Sequence, residues 1–176
     1  TFAESLARGV IVTDGSVAIE LARRGLSERP ADRYTLTSPA VIERIYAEFI
    51  DAGSTLIRTL TSQANRYALE SSMLAARVHE INRKGVWIAR SAAAGKAIVA
   101  GTMGPTGRYV KPLGPLDVDD MRSAFVDQAS ALLAGKPDCI LLLSFIDLDE
   151  LEIAIDAVRS LSAEIPIIAS KSFPED

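Results

Sequence analysis

Short, nearly unbroken apolar runs alternate along this chain with longer segments in which apolar residues return every three or four positions. The runs begin at Gly9, Ser54, Ala97, Asp138 and Pro166 and extend to Val12, Arg58, Gly101, Leu143 and Ala169. They lack the polar alternation of a half-wet antiparallel sheet, so they predict parallel strands buried on both faces. Between them, Ser38-Pro39 opens a segment carrying Ile42, Ile45, Phe49 and Ile50 on one face, and Gly53 stops it. A serine cap, a proline in the first turn and a terminal glycine are the signals of a helix.

A second helix is expected from Asp117, through Met121, Ala124, Phe125, Gln128, Ala129 and Leu132, to Gly135. A third starts near Asp147, where Glu150 is placed to complete a capping box, and runs through Leu151, Ile155, Val158 and Leu161. Tyr67 to Ala94 is also helical in composition, with Gly85 as a potential break. The order β-α-β-α-β-α-β-α-β predicts a parallel α/β protein. Length alone favours an open doubly wound sheet, since a closed eight-stranded barrel takes about 250 residues. Neither nucleotide fingerprint is present. Asp14-Gly15 is followed by Ser16-Val17-Ala18, not by a dinucleotide glycine pattern, and Gly104 to Gly107 lacks the lysine and following hydroxyl of a phosphate loop.

Composition narrows the classes further. The 176 residues, 48% apolar and 24% charged, suit a single domain over 1–176 with one sizeable core. A formal charge of -4 offers no broad positive field for nucleic acid or an anionic membrane. Cys139 is the only cysteine, so no intrachain disulfide forms, and its apolar run Cys139 to Leu143 marks it as a small buried hydrophobe. No apolar stretch approaches the roughly 18 residues of a membrane span and no signal peptide is legible, which makes a cytoplasmic location the expectation. Arg58 closes the second strand, where a buried guanidinium calls for an acid from a neighbouring strand end.

Several strand ends carry a further pattern. Asp14-Gly15 follows the first, Thr59-Leu60-Thr61-Ser62-Gln63-Ala64-Asn65-Arg66 the second, and Gly101-Thr102-Met103-Gly104-Pro105-Thr106-Gly107 the third. With Leu36-Thr37-Ser38-Pro39, Glu80-Ile81-Asn82, Pro112-Leu113-Gly114 and Asp147-Leu148, these resemble, in order, the amino-terminal half of the homocysteine S-methyltransferase family. The resemblance overrides the length argument. It implies a (β/α)8 TIM-type barrel, of which this chain covers about the first five strands, and methyl transfer from a donor to a thiol such as homocysteine.

In that family a zinc ion held by cysteine thiolates activates the substrate thiol, because the thiolate is the nucleophile. The resemblance places those cysteines at later strand ends, beyond Asp176. Zinc is therefore expected in the complete parent and not on this chain, whose Cys139 and His79 fall on unlike elements. No catalytic residue is expected here, and the isolated chain is expected to be inactive. Substrate contact is expected from Asp14, Thr59, Thr61, Gly101, Thr102 and Ser144. By resemblance Asp14 accepts hydrogen bonds from a substrate ammonium; from the residues alone it equally caps the following helix. Thr59 and Thr61 either line the cavity or satisfy turn backbone.

The pattern also departs from the family. Ser16-Val17-Ala18-Ile19 replaces a small Met-Gly-Thr run, Leu60 and Ser62 replace an asparagine and an aromatic, and Leu143 stands where a glutamate recognises the amino group. A leucine accepts no hydrogen bond, so an ammonium facing it loses about 1 to 3 kcal/mol of compensation. A second reading is a noncatalytic partial barrel that binds a small ligand or a partner. Its open sheet edge would favour self-association or a complementary chain.

Overall fold

The computed structural model describes residues 2–173. Among them, helices α1 (Phe2–Arg8), α2 (Val17–Arg23), α3 (Tyr34–Thr37) and α4 (Pro39–Asp51) precede strand β1 (Leu56–Arg58). Then follow α5 (Arg66–Glu70), α6 (Val78–Ala93), β2 (Ile98–Met103), α7 (Val118–Ala134), β3 (Cys139–Phe145), α8 (Leu148–Leu161) and β4 (Ile167–Lys171).

The strands lie in the order β1-β2-β3-β4, every neighbouring pair parallel. A doubly wound sheet reverses its strand order at a switch point; here the order never reverses. The pattern is that of a barrel wall, not of the open sheet that length alone favours.

The two faces of the sheet separate by the two-residue period of the strands. Ile57, Val99, Met103, Ile140 and Leu142 point into the main core, where they meet Ile45 of α4, Val86 of α6, Phe125 of α7 and Ala154 of α8. Leu56, Ala100, Cys139 and Leu141 form the other face, with Phe2, Ile11, Ile98, Leu143 and Ile168 packed against them. This second face is the concave, barrel-interior side.

The expected strand at Gly9 to Val12 does not form a ladder. It enters the sheet through a single parallel bridge, Thr13 to Leu56, supported by Leu56 N donating to Val12 O at 3.1 Å and Asp14 N to Leu56 O at 3.0 Å. Val10 is 90% exposed.

The helix ends follow local chemistry. Gly53 (φ 109°) closes α4, with Ser54 N reaching Phe49 O and Gly53 N reaching Ile50 O, the paired bonds of a left-handed helix stop. Ser38 occupies the cap position of α4 without a side-chain bond, so Pro39 carries that start. Asp117 likewise does not cap α7; its carboxylate pairs with Lys111 Nζ at 2.9 and 3.0 Å. The break expected at Gly85 lies earlier, between α5 and α6. Helix α6 runs through Gly85, whose missing side chain admits Thr61: a Cβ there would sit 2.5 Å from Thr61 Cγ2.

Candidate functional site

Asp14, Arg58, Thr59, Thr102 and Leu143 converge at the carboxyl ends of the strands, around a cleft of about 130 Å3 that Val17, Ala18 and Leu60 also line. Larger hollows lie elsewhere, two of them, of about 400 and 140 Å3, against the loop Pro105 to Gly107. Another of about 570 Å3 opens at the amino ends of the strands beside Phe2, Lys96 and Asp138, and one of about 560 Å3 runs along Trp87. In parallel α/β folds ligands sit at the carboxyl ends, and the cleft of about 130 Å3 is the one that gathers the ends of β1, β2 and β3, through Arg58, Thr102 and Leu143, around Asp14.

Arg58 organises one wall. Its Nε donates to Asp14 Oδ1 at 2.6 Å, and its backbone N–H to Asp14 Oδ2 at 3.1 Å. Nη2 donates to the carbonyls of Asp14 and Gly15 at 2.8 and 2.9 Å. The acid that Arg58 required is therefore Asp14, whose side chain is 0% exposed while that of Arg58 is 26% exposed. Burial pushes the Asp14 carboxyl above its ordinary value, against the opposing pull of Arg58. Asp14 does not cap α2; Ser16 does, its Oγ accepting Ile19 N at 3.3 Å.

The threonines form a closed ring of hydrogen bonds. Thr61 Oγ1 donates to Thr102 O at 2.7 Å, which leaves the Thr59 hydroxyl to donate to Thr61 Oγ1 at 2.6 Å. Thr59 Oγ1 in turn accepts the Thr102 amide at 2.8 Å. The ring joins the ends of β1 and β2 where the ladder stops. Thr59 and Thr102 still border the cleft, whereas Thr61 is buried beneath it.

Gly101 and Ser144 lie apart. Gly101 pairs with Ile140 on the helix-facing side, where a Cβ would meet Ile140 Cδ1 at 3.1 Å. Ser144 is exposed at the register shift between Leu142 and Phe145, with φ 62° in the left-handed region. A non-glycine residue held there costs about 1 to 3 kcal/mol, a strain that recurs at functional strand ends.

Two clamps were not foreseen from the sequence. Asp147 does start α8, accepting Asp149 N at 2.9 Å, but Glu150 turns away from the expected capping box. Its Oε1 accepts Thr106 N at 2.7 Å and Thr106 Oγ1 at 2.6 Å, tying the glycine-rich loop to α8. Burial raises the Glu150 carboxyl, partly offset by those two donors. On the other side Asn65 Nδ2 reaches Pro105 O at 3.2 Å while its Oδ1 caps α5. The signal for Glu150 was ambiguous, because the same spacing serves a capping box.

Over residues 11–176 the sequence matches the family model described as homocysteine S-methyltransferase. The chain belongs to the homocysteine S-methyltransferase family. A methionine synthase of Mycobacterium leprae (strain TN) is 30% identical over 166 residues, covering 86% of this chain and 14% of that protein. The methionine synthase of Mycobacterium tuberculosis (strain ATCC 25618 / H37Rv) is 29% identical, covering 93% of this chain and 15% of that protein. The chain thus spans a small part of these relatives. Among solved structures, the homocysteine methyltransferase MmuM from Escherichia coli in its metallated form aligns with TM-score 0.79 at 22% identity, over 93% of this chain and 64% of that one. Its apo form aligns with TM-score 0.72 at 20% identity, over 93% and 59%. At such identities the likeness is one of fold, and it agrees with the unreversed strand order.

A metal associated with this family does not fit the residues present. Among the described residues no group of three or more His, Cys, Asp and Glu side chains is placed to hold one. Cys139 is buried at the start of β3, the end opposite the cleft, and burial, with the Asp138 charge, pushes its thiol up to about 12. His79 is exposed on α6.

Proposed function

We propose that residues 1–176 are the amino-terminal part of a barrel domain that transfers a methyl group from a donor to a small thiol of the homocysteine class, in the cytoplasm. The family match over residues 11–176 carries this reading. In it, Asp14, Thr59 and Thr102 belong to the wall that receives the acceptor, with Thr61 bracing that wall from below. Gly101 supports β2 by its fit against Ile140, and Ser144 stands at the rim.

Zinc belongs to the complete protein in this proposal, with its ligands contributed from outside the described residues. The chain's own task is to bind and orient. A thiol reacts as its thiolate, and Cys139, held protonated and buried, does not compete with an acceptor for the methyl group. No membrane-crossing helix occurs among the described residues.

The test is the intact mass and zinc content of the native full-length protein, followed by methyl transfer to thiols. About one zinc per chain and a methylated thioether product are expected. An assembly of this chain alone, free of zinc and inert toward thiols, would replace the reading with a noncatalytic partial barrel.

A further inference from the structure

We propose that the strand-end cleft takes a thiol whose other end is a carboxylate and which carries no α-ammonium group, an ω-mercaptocarboxylate rather than an amino-acid thiol. This narrows the acceptor of the methyl-transfer reading and rests on that reading.

The polar inventory of the cleft carries the inference. Among the described residues its one lining carboxylate is Asp14, and both oxygens are engaged by Arg58 while the side chain is 0% exposed. The carbonyls of Asp14 and Gly15 already receive Arg58 Nη2. The Thr59 hydroxyl is committed to the threonine ring and Thr102 Oγ1 reaches Ala100 O at 3.3 Å. Of the other lining residues, Ser16 Oγ accepts Ile19 N at 3.3 Å, Ser62 adds a neutral hydroxyl, and Val17, Ala18, Leu60 and Leu143 are apolar. An ammonium entering here would shed its water with no anionic partner, a cost that falls on the bound state alone.

The same wall offers a donor. Arg58 lines the cleft, and its Nη1 makes no hydrogen bond to the described residues and is not among the buried unpaired atoms, so it is open to solvent. A guanidinium fixed by three of its donors presents the others with little further ordering, which suits a carboxylate. The methylene chain of such an acceptor would lie on Leu143 and Val17.

The test uses the intact, metal-loaded protein that contains these residues. It is titrated by calorimetry with 4-mercaptobutanoate and with L-homocysteine, which differ only in the α-amino group, and both are assayed for methylation. The unaltered protein is expected to bind 4-mercaptobutanoate at least about tenfold more tightly, and Arg58→Gln to lose about tenfold or more of that affinity. Because Arg58 also braces Asp14, Leu143→Glu provides an independent variant on the opposite wall. It is expected to shift the preference toward L-homocysteine by about tenfold. Equal or tighter binding of L-homocysteine by the unaltered protein overturns the inference, as does binding of neither thiol or affinity indifferent to both substitutions. Methylation of L-homocysteine in preference to 4-mercaptobutanoate would overturn it while leaving the methyl-transfer reading in place. Arg58-dependent binding of 4-mercaptobutanoate without any methyl transfer would do the reverse.

Discussion

Asp32 is a buried acid whose titration should be visible in the stability of the protein. It is 2% exposed, in the turn before α3, and its Oδ1 accepts Gln63 N at 2.8 Å, joining that turn to the loop after β1. Burial is the dominant influence, outweighing the hydrogen bonds to it, and lifts the carboxyl from 3.8 to about 6. A folded-state value above the unfolded one means that the folded protein binds more protons between the two. Stability is therefore fully present below pH 3.8 and is lost as pH rises through about 6. At about 1.4 kcal/mol per pH unit, the whole loss is about 3 kcal/mol, of which about 2 kcal/mol falls between pH 4.5 and 8. Asp32→Asn keeps an oxygen for Gln63 N and removes the titration. The stability of this variant relative to the unaltered protein should then improve by about 2 kcal/mol from pH 4.5 to 8. Urea unfolding of both proteins across that range measures it, and the other carboxylates cancel in the difference. A difference that is flat with pH, or that worsens toward pH 8, would refute the buried-acid argument.

Three further perturbations probe the packing around the cleft. Gly85→Ala places a Cβ 2.5 Å from Thr61 Cγ2, so overpacking of about 1 to 3 kcal/mol should outweigh the helix gain of about 1 kcal/mol; thermal denaturation should show a lower Tm, and a higher one sinks the idea. Glu150→Ala removes both acceptor contacts to Thr106 and should cost about 2 to 4 kcal/mol, with faster amide exchange concentrated at Thr106; unchanged protection there would count against the clamp. The Cys139 thiol, pushed up to about 12, should resist a disulfide reagent at pH 8 in the folded protein and react once urea unfolds it; native-state labelling at the rate of a free thiol would contradict its burial.

The layering of the fold was legible because it rests on period. In Cys139-Ile140-Leu141-Leu142-Leu143 every residue is apolar, as two buried faces require, and alternate members do divide between the helix-facing core and the concave face. The weak first strand was not legible, since Val10-Ile11-Val12 has the composition of a strand, yet the segment meets β1 through the single bridge of Thr13 to Leu56. At the site, the sequence identified a need but not its answer. Arg58 called for an acid, yet Asp14 lies 44 positions away, and only the parallel approach of the Asp14 turn to β1 brings the pair together. Glu150 was misassigned for the opposite reason: a local motif explained it, and a long-range donor, Thr106, took it instead.

The polar groups of the loops after β1 and β2 are satisfied largely by this chain itself, and that decides what the cleft can do. Hydroxyls closed in a ring, a carboxylate wrapped by Arg58 and a glycine-rich loop tied to α8 leave few acceptors to be recruited by a ligand. Gly104 tightens the arrangement further, since a Cβ there would lie 2.6 Å from Ser62 O, so the two loops meet backbone against backbone. A wall assembled before the ligand arrives binds by fit, with little ordering cost, and discriminates through the charged group it leaves unpaired. In this cleft that group is a cation, Arg58 Nη1, and a ligand bearing a cation of its own meets the apolar side chain of Leu143. Selectivity for charge at this site therefore rests on Arg58 and Leu143 more than on the buried Asp14.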